Sequence, residues 1–426
     1  MPEPGAYLTK LTRAADDLAL RHRPCGWGIA LADSITHMRE SDWDEVVGAR
    51  FFMGRDYLGA IERARPPRMS FRYALCYDGM RPVAAAAYQV IDIALDAFGS
   101  RVQPQPSPDA SLRDVVRKVR RNALRTVGDA LGESGAQRLL INGNGLVTGE
   151  HGFAIAPGVD PRQAMHGLAD ATYRIRRAEK LHGGIASVLI KEFSSAARGH
   201  ADELLRFGYH PFEVDPNMAV EIDPSWRSLE DYLATFTAKY RRKAKDARKQ
   251  AKRLHSRRLS TAEIVRHAAA LHELYLAVHE KASFRLANPG PDYFPSLAEA
   301  LGDDLVLRVW SLDDALVGCS AALGRGDGFE AHMVGLDYEH NHEHGIYQNA
   351  LYDFVGDAIA RGVRSLSMGR TALEIKSSIG ATPRPMTCFM RHANPLGNRL
   401  IAPLVAQIEP TPWTPRNPRR VDDGAA

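Results

Sequence analysis

Residues 71–77 and 81–93 are apolar runs joined by Asp78-Gly79, and residues 305–310 and 315–323 repeat that arrangement around Asp313-Asp314. Asp and Gly tolerate the backbone of a tight hairpin turn, so each pair of runs is expected to fold back as antiparallel strands. One hairpin in each half requires antiparallel sheet in each half. Around the first hairpin the pattern predicts a strand at 26–35, a glycine-interrupted helix at 43–63, a proline-rich loop at 101–107 and a basic helix at 113–128. There follow a strand at 137–142, a helix at 161–181 opened by Asp160-Pro161, a strand at 183–193, a short helix at 201–207 closed by Gly208, and a strand at 218–222. The second half repeats the rhythm. It has helices at 229–254 and 261–282, the latter with Ser260 or Thr261 as its cap and Glu263 close behind. After its hairpin come a strand at 330–336, a helix at 346–361 stopped by Gly362, and strands at 365–368 and 386–392. The reading is a mixed α/β (α+β) chain with antiparallel and crossover pairings, repeated in two tandem domains. At 426 residues the chain exceeds one ordinary core, and the proline-flanked EIDPSW places the division at 1–220 and 221–426.

Composition removes several function classes. The chain is 45% hydrophobic and 25% charged, as globular proteins are. Its longest apolar runs, such as 82–87 and 401–406, fall far short of a membrane span, and the N-terminal stretch lacks the apolar core of a signal peptide. A cytoplasmic location is the expectation. Cys25, Cys76, Cys319 and Cys388 include no CxxC pair, which argues against a zinc knuckle or a disulfide framework. P-loop, GxSxG, HExxH and GxGxxG patterns are absent, which removes the commonest NTPase, hydrolase, zincin and dinucleotide readings. The net charge of +4 is unevenly spread: residues 239–258 hold eleven Lys or Arg against one Asp. Few acidic partners sit three or four residues away to quiet this run. Lys239, Arg241, Arg242 and Lys243 are therefore candidates to hold phosphates, against the plainer reading of a solvated helix face.

Three stretches of the second half resemble the FemAB-like and BioF2-like branch of the GNAT acyltransferase superfamily: LEDYLATFTAKYRRKAKDARKQAKR at 229–253, the helix at 346–362 with the strand SLSMGR after it, and RTALEIKSSIGA at 370–381. The resemblance implies two tandem GNAT-like domains, with the main site in the second. It implies acyl transfer to an amine. Fem-type members take an aminoacyl group from aminoacyl-tRNA; the acceptor here would be a small-molecule or peptide amine. The glycine-rich loop that cradles coenzyme A phosphates in acetyltransferases is reduced to NHEHGIY at 341–347, and to RQAMHGL at 162–168 in the first half. No bound cofactor is expected; the acyl donor is a co-substrate, aminoacyl-tRNA with acyl-CoA as the alternative.

Lys376, just beyond a strand end, is the leading catalytic candidate. Its ammonium can hydrogen-bond the developing oxyanion or protonate the leaving group. Glu374 is a candidate base that points the same way on a strand and diverges on a helix. Arg370, Thr371 and Tyr347 are candidate substrate contacts, Arg370 through its planar fork. Lys191 and Glu192 end an apolar strand and are expected to project in opposite directions. His332, His340, His342 and His344 read as a solvated loop rather than a metal site. The rival class is a polyanion-binding protein that uses the basic helix on a transferase scaffold. A cleft gathering Lys376, Arg370 and Tyr347 favours the enzyme.

Overall fold

The structure, a computed structural model, describes residues 15–94, 136–281 and 288–419. The loop expected at 101–107 and the basic helix expected at 113–128 lie outside those residues. Its framework is a 13-stranded mixed sheet. The strands are β1 (Gly28–Ala32), β2 (Met69–Asp78), β3 (Arg81–Ala94), β4 (Ala136–Asn142), β5 (Phe153–Ile155), β6 (Ser187–Ser194), β7 (His210–Glu221), β8 (His255–Arg258), β9 (Leu305–Leu312), β10 (Ala315–Leu323), β11 (Gly328–Leu336), β12 (Ser365–Ser367) and β13 (Thr382–His392). Both hairpins are present, β2–β3 and β9–β10.

The sheet shows the repeat. From one edge, β1 to β4 are antiparallel, β6 joins β4 in parallel, and an antiparallel strand follows. From the other edge, β8 to β11 are antiparallel, β12 joins β11 in parallel, and an antiparallel strand follows. The closing strands are exchanged. β13 pairs with β6 and β7 pairs with β12, so each half's last strand completes the other half's sheet before β7 and β13 pair together. Residue 220, the expected division, falls at the end of β7, and the sheet runs through it without a break.

Alternation on the strands sorts the core onto two faces. On β9, Leu305, Leu307 and Val309 face a front cluster, while Val306 and Trp310 face a back one. The front cluster is shared by both halves. It takes Trp43 of α1 (Glu40–Val47) and Tyr57, Leu58 and Ile61 of α2 (Arg55–Arg63), with Tyr293, Phe294 and Leu297 of α6 (Tyr293–Leu301). Helix α5 (Ala268–Lys281) presses so closely on β11 that a Cβ on Gly335 would lie 2.8 Å from backbone atoms of Leu274 and Tyr275. The backs are covered by α3 (Pro161–Ala178) in the first half and α7 (Ile346–Ala360) in the second. Asp160 caps α3 by accepting the Arg162 N–H, as the Asp-Pro start predicts.

Three expected helices are each divided, the one at 43–63 into α1 and α2. The run at 229–254 forms Leu229–Ala234 and α4 (Ala238–Gln250). Phe236 is buried between them, it bridges to Arg419, and Pro418 O takes the Thr237 N–H. The C-terminal segment thus claims backbone groups that a continuous helix would use. The run at 261–282 forms Thr261–Arg266, with the expected Ser260–Glu263 capping box, and α5. His340, His342 and His344 lie on the helix Tyr338–His344, not on a strand face. His344 is buried with Nδ1 3.2 Å from Gln250 O, and His332 is inside β11, so a solvated histidine loop is not what forms.

Candidate active site

A row of polar side chains crosses the front face where the two halves meet. Glu330 of β11 is in parallel register with Ser367 of β12. Ser367 and Asn217 of β7 bond each other, with Asn217 Nδ2 2.9 Å from the Ser367 hydroxyl, and Asn217 Oδ1 also takes the Gly369 N–H. Farther along stand Lys191 and Glu192 of β6. Their strand neighbours Phe329, Ala331, Leu366 and Ile190 belong to the back clusters, and alternation sends Glu330, Ser367 and Lys191 forward.

Lys191 and Glu192 do not diverge. Glu192 has φ 60, an uncommon conformation for a non-glycine residue, and the register of β6 against β13 shifts there. This bulge brings the Glu192 carboxylate to 3.4 Å from the Lys191 ammonium. The carboxylate also accepts the Gly149 N–H at 2.6 Å and lies 3.3 Å from Arg370 Nη2, an ion pair joining the two halves. Lys191 donates to Asn144 O at 2.6 Å and Val147 O at 3.0 Å, which fixes the loop after β4. That loop can close because Gly152 lies on Gly143: a Cβ there would come within 2.4 Å of Gly143 N. His151 packs on Phe52, and burial with the nearby Lys191 charge holds its imidazole down to about 4.

Lys376 reaches this row from α8 (Leu373–Ser378), which follows β12. A Cβ on Gly369 would lie 3.9 Å from Lys376 Nζ and 3.7 Å from Thr148 Oγ1, so the first half's loop stands opposite the lysine. Lys376 is 4% exposed and Glu330 5%. Burial lowers the Lys376 ammonium to about 8, partly offset by the Glu330 charge. Burial raises the Glu330 carboxyl to about 8, against a hydrogen bond from Ser367 and the Lys376 charge, while Glu192 pushes it up further. An acid and a base of matched affinity near neutral pH can exchange a proton at little cost. The thiols have no such chemistry: burial pushes Cys388, beside Glu192, up to about 12.

The other sequence candidates separate. Because 373–378 is helical, Glu374 diverges from Lys376; it is exposed, 3.1 Å from Arg416 and accepting the Thr414 N–H. Arg416 keeps its carboxyl below the usual range. Thr371 is exposed. Arg370 is in the site, but as the partner of Glu192. Tyr347 packs at the edge of the back cluster, so it does not gather with Lys376 and Arg370. On α4, Lys239, Arg242 and Lys243 are exposed, Lys239 and Lys243 near the Tyr240 ring, while Arg241 turns back to Phe236 O at 2.7 Å. A cavity of about 270 Å³ lies apart, on the back of the second half between α4, α7 and β9, lined by Arg248, Arg308, Trp310 and Asp353 among others. Sequence reasoning missed Glu330, Ser367, Asn217 and Asn144. The available signal was a single carboxylate inside the apolar strand GFEAHMVGL.

Residues 238–377 match the family model described as an acetyltransferase (GNAT) domain. No curated protein sequence matches the chain. Among solved structures, the chain is similar to a tandem GNAT protein from the clavulanic acid biosynthesis pathway, at 12% identity over 87% of this chain and 99% of that one, with TM-score 0.47. It is similar to FemX at 12% identity, over 88% of this chain and 100% of that one, with TM-score 0.49. The C-terminal domain of a putative lysylphosphatidylglycerol synthetase from Agrobacterium fabrum has 13% identity over 65% of this chain and 83% of that one, with TM-score 0.40. Residues 238–377, the stretch that supplies Glu330, Ser367, Arg370 and Lys376, are thus the part of the chain that is similar to an acetyltransferase (GNAT) domain.

Proposed function

We propose that the chain transfers an acyl group to an amine at the Glu330–Lys376 pair, with an aminoacyl ester, carried by aminoacyl-tRNA, as the favoured donor. The observation that supports this most is the pair itself: a buried carboxyl and a buried ammonium, both brought to about 8, where the two halves meet. Glu330 takes the proton from the acceptor amine as its nitrogen attacks the acyl carbon. The carbonyl oxygen becomes negative, and the Lys376 ammonium faces that charge in surroundings where it is poorly screened. Collapse breaks the acyl–oxygen bond, and the leaving oxygen takes a proton from Lys376 or Glu330. The Lys191–Glu192–Arg370 cluster keeps the halves together around the pair. The test is to incubate the chain with aminoacyl-tRNAs and acyl-CoAs against a set of amines and to seek the amide by mass spectrometry. An amide formed only from acyl-CoA would overturn the favoured donor, and no amide from any donor would overturn acyl transfer.

The acetyltransferase description of the matched family favours acyl-CoA as the second reading. Against it, the start of α7 is already engaged. The Tyr347 N–H donates to Asn341 Oδ1 at 2.7 Å, and no run of glycines opens the turn before it. Acetyl-CoA is therefore expected to bind with a dissociation constant weaker than about 1 mM, or roughly −4 kcal/mol. Calorimetry returning a micromolar constant would promote this reading.

The exposed cations of α4 support the tRNA donor and carry their own prediction. Binding of tRNA is expected to weaken as salt rises, with a log–log slope of about 0.7 to 0.9 per phosphate contact. Replacing Lys239, Arg241, Arg242 and Lys243 by Ala should flatten that slope. Arg241 also caps the preceding turn, so circular dichroism must accompany the measurement. An unchanged slope would return α4 to a solvated face.

A further inference from the structure

Three buried polar side chains, Asn144, Tyr57 and Tyr293, and the half-buried His332 line up in a chain from both halves beside Glu330. Asn144, in the loop after β4, donates its amide to the Tyr57 hydroxyl of α2 at 2.9 Å. The Tyr57 and Tyr293 hydroxyls lie close enough to act on each other's proton affinity. The Tyr293 hydroxyl, at the start of α6, lies 2.7 Å from Nε2 of His332 on β11. The Glu330 charge reaches Tyr57, so the chain passes close to the proposed base.

The sense of each bond follows from the Asn144 end. The Leu146 N–H, which can only donate, points at Asn144 Oδ1 at 2.9 Å. Gln89 Nε2 donates to the same oxygen at 3.2 Å, its own oxygen being held by the Gly145 N–H. Asn144 Nδ2 is therefore the donor to Tyr57. Tyr57 then has its own hydrogen free for Tyr293 beside it, and Tyr293 passes its hydrogen to His332 Nε2. Nε2 is then an acceptor, which places the imidazole hydrogen on Nδ1. The reverse sense strands both the Tyr57 hydrogen and the Nδ1 lone pair in buried surroundings, two unmade bonds instead of one. Nδ1 itself is buried and has no hydrogen-bond partner among the described residues.

His332 stands two residues beyond Glu330, at a bulge. Against β10, Ala331 faces Ala322 and Met333 faces Ala321, leaving His332 as the extra residue. Alternation from Glu330 places its ring on the front face, where Tyr293 meets it, and the bulge keeps Met333 on that face as well. Burial holds its imidazole down to about 3, so it stays neutral and keeps a single N–H.

We propose that His332 presents a fixed Nδ1–H to the acyl carbonyl oxygen of the substrate, and that the Asn144–Tyr57–Tyr293 chain fixes which nitrogen carries the hydrogen. This rests on the acyl-transfer reading above. His332 is then a catalytic residue that shares the developing oxyanion with Lys376, and Tyr293 is a positioning residue that acts only through His332.

The test uses the full chain labelled with 15N-histidine, with long-range proton–nitrogen correlation spectra and His332→Gln to assign the signal. Expected in the wild type is a protonated Nδ1 and a bare Nε2, unchanged from about pH 5 to pH 8. Tyr293→Phe should release the lock and admit the Nε2–H form. A wild-type Nε2–H tautomer, or a ring that titrates near its ordinary value, overturns the proposal whatever the enzyme does. With a donor and acceptor in hand, His332→Ala should lower kcat by about 100-fold or more with little change in KM. Tyr293→Phe should lower kcat by about 10-fold or more. Near-wild-type turnover in His332→Ala, with the wild type active, overturns the carbonyl contact alone. No turnover by the wild type with any donor overturns that contact and acyl transfer together, and leaves the tautomer result standing.

Discussion

Replacing Glu330 by Gln is expected to lower turnover by roughly 100- to 10,000-fold, the range for losing a positioned general base. The amide has nearly the volume of the carboxyl and can still accept from Ser367, so packing at this site on β11 should survive. What disappears is the group that removes the amine proton. The pH profile separates this from a merely structural loss. Below about 8 Glu330 holds its proton and cannot accept another, so the wild-type rate should climb as pH rises toward 8. Above about 8 Lys376 loses its charge and the rate should fall. The two groups are coupled, so the limbs belong to the pair, and the expected profile is a narrow bell centred near 8. In Glu330→Gln the rising limb should vanish. A variant with near-wild-type turnover and that limb intact would take Glu330 out of the mechanism.

How this site was missed follows from what local pattern can carry. Both hairpins, the Asp160-Pro161 helix start and the Ser260–Glu263 capping box were legible, because each depends on residues close in sequence. The exchange of β7 and β13 was not: any apolar strand can pair with any other, and the choice depends on contacts well over a hundred residues apart. Glu330 suffered from the same limit. In GFEAHMVGL it alternates with apolar residues, and such a charge ordinarily marks the solvent face. Only the arrival of α8 and the first half's loop over that face makes it a buried carboxyl. Lys376 was legible as a residue but its surroundings were not, since the spacing of Glu374 and Lys376 fits a shared face on a strand and opposed faces on a helix. Lys191 and Glu192 were expected to point apart by the period-2 rule, and the positive φ of Glu192 breaks that rule at one residue. His332 was grouped with the histidines of 340–344 because they are near in sequence, while its contact with Tyr293 depends on how α6 packs on the front of the sheet.

Lys376→Met is the second large effect. Acyl transfer to an amine passes through a tetrahedral species with a negative oxygen, and the leaving atom must gain a proton. Lys376 is 4% exposed, so its ammonium acts across little water and its charge is less screened than at the surface. Losing one such donor costs about 100- to 1,000-fold in turnover, or roughly 3–4 kcal/mol. Methionine keeps much of the aliphatic stem and removes the charge, and α8 is held by backbone bonds such as Ala381 N–H to Lys376 O, which the change does not touch. It also leaves Glu330 without its neighbouring cation, so any residual activity should rise only at higher pH than in the wild type. Lys376→Arg divides the two roles. Arginine keeps a positive charge, but its very high proton affinity makes it a poor acid. Recovery of most of the turnover with Arg assigns Lys376 to the oxyanion; recovery with Lys alone assigns it to proton transfer. Turnover in Lys376→Met equal to the wild type would remove the residue from the chemistry and leave Glu330 to act without it.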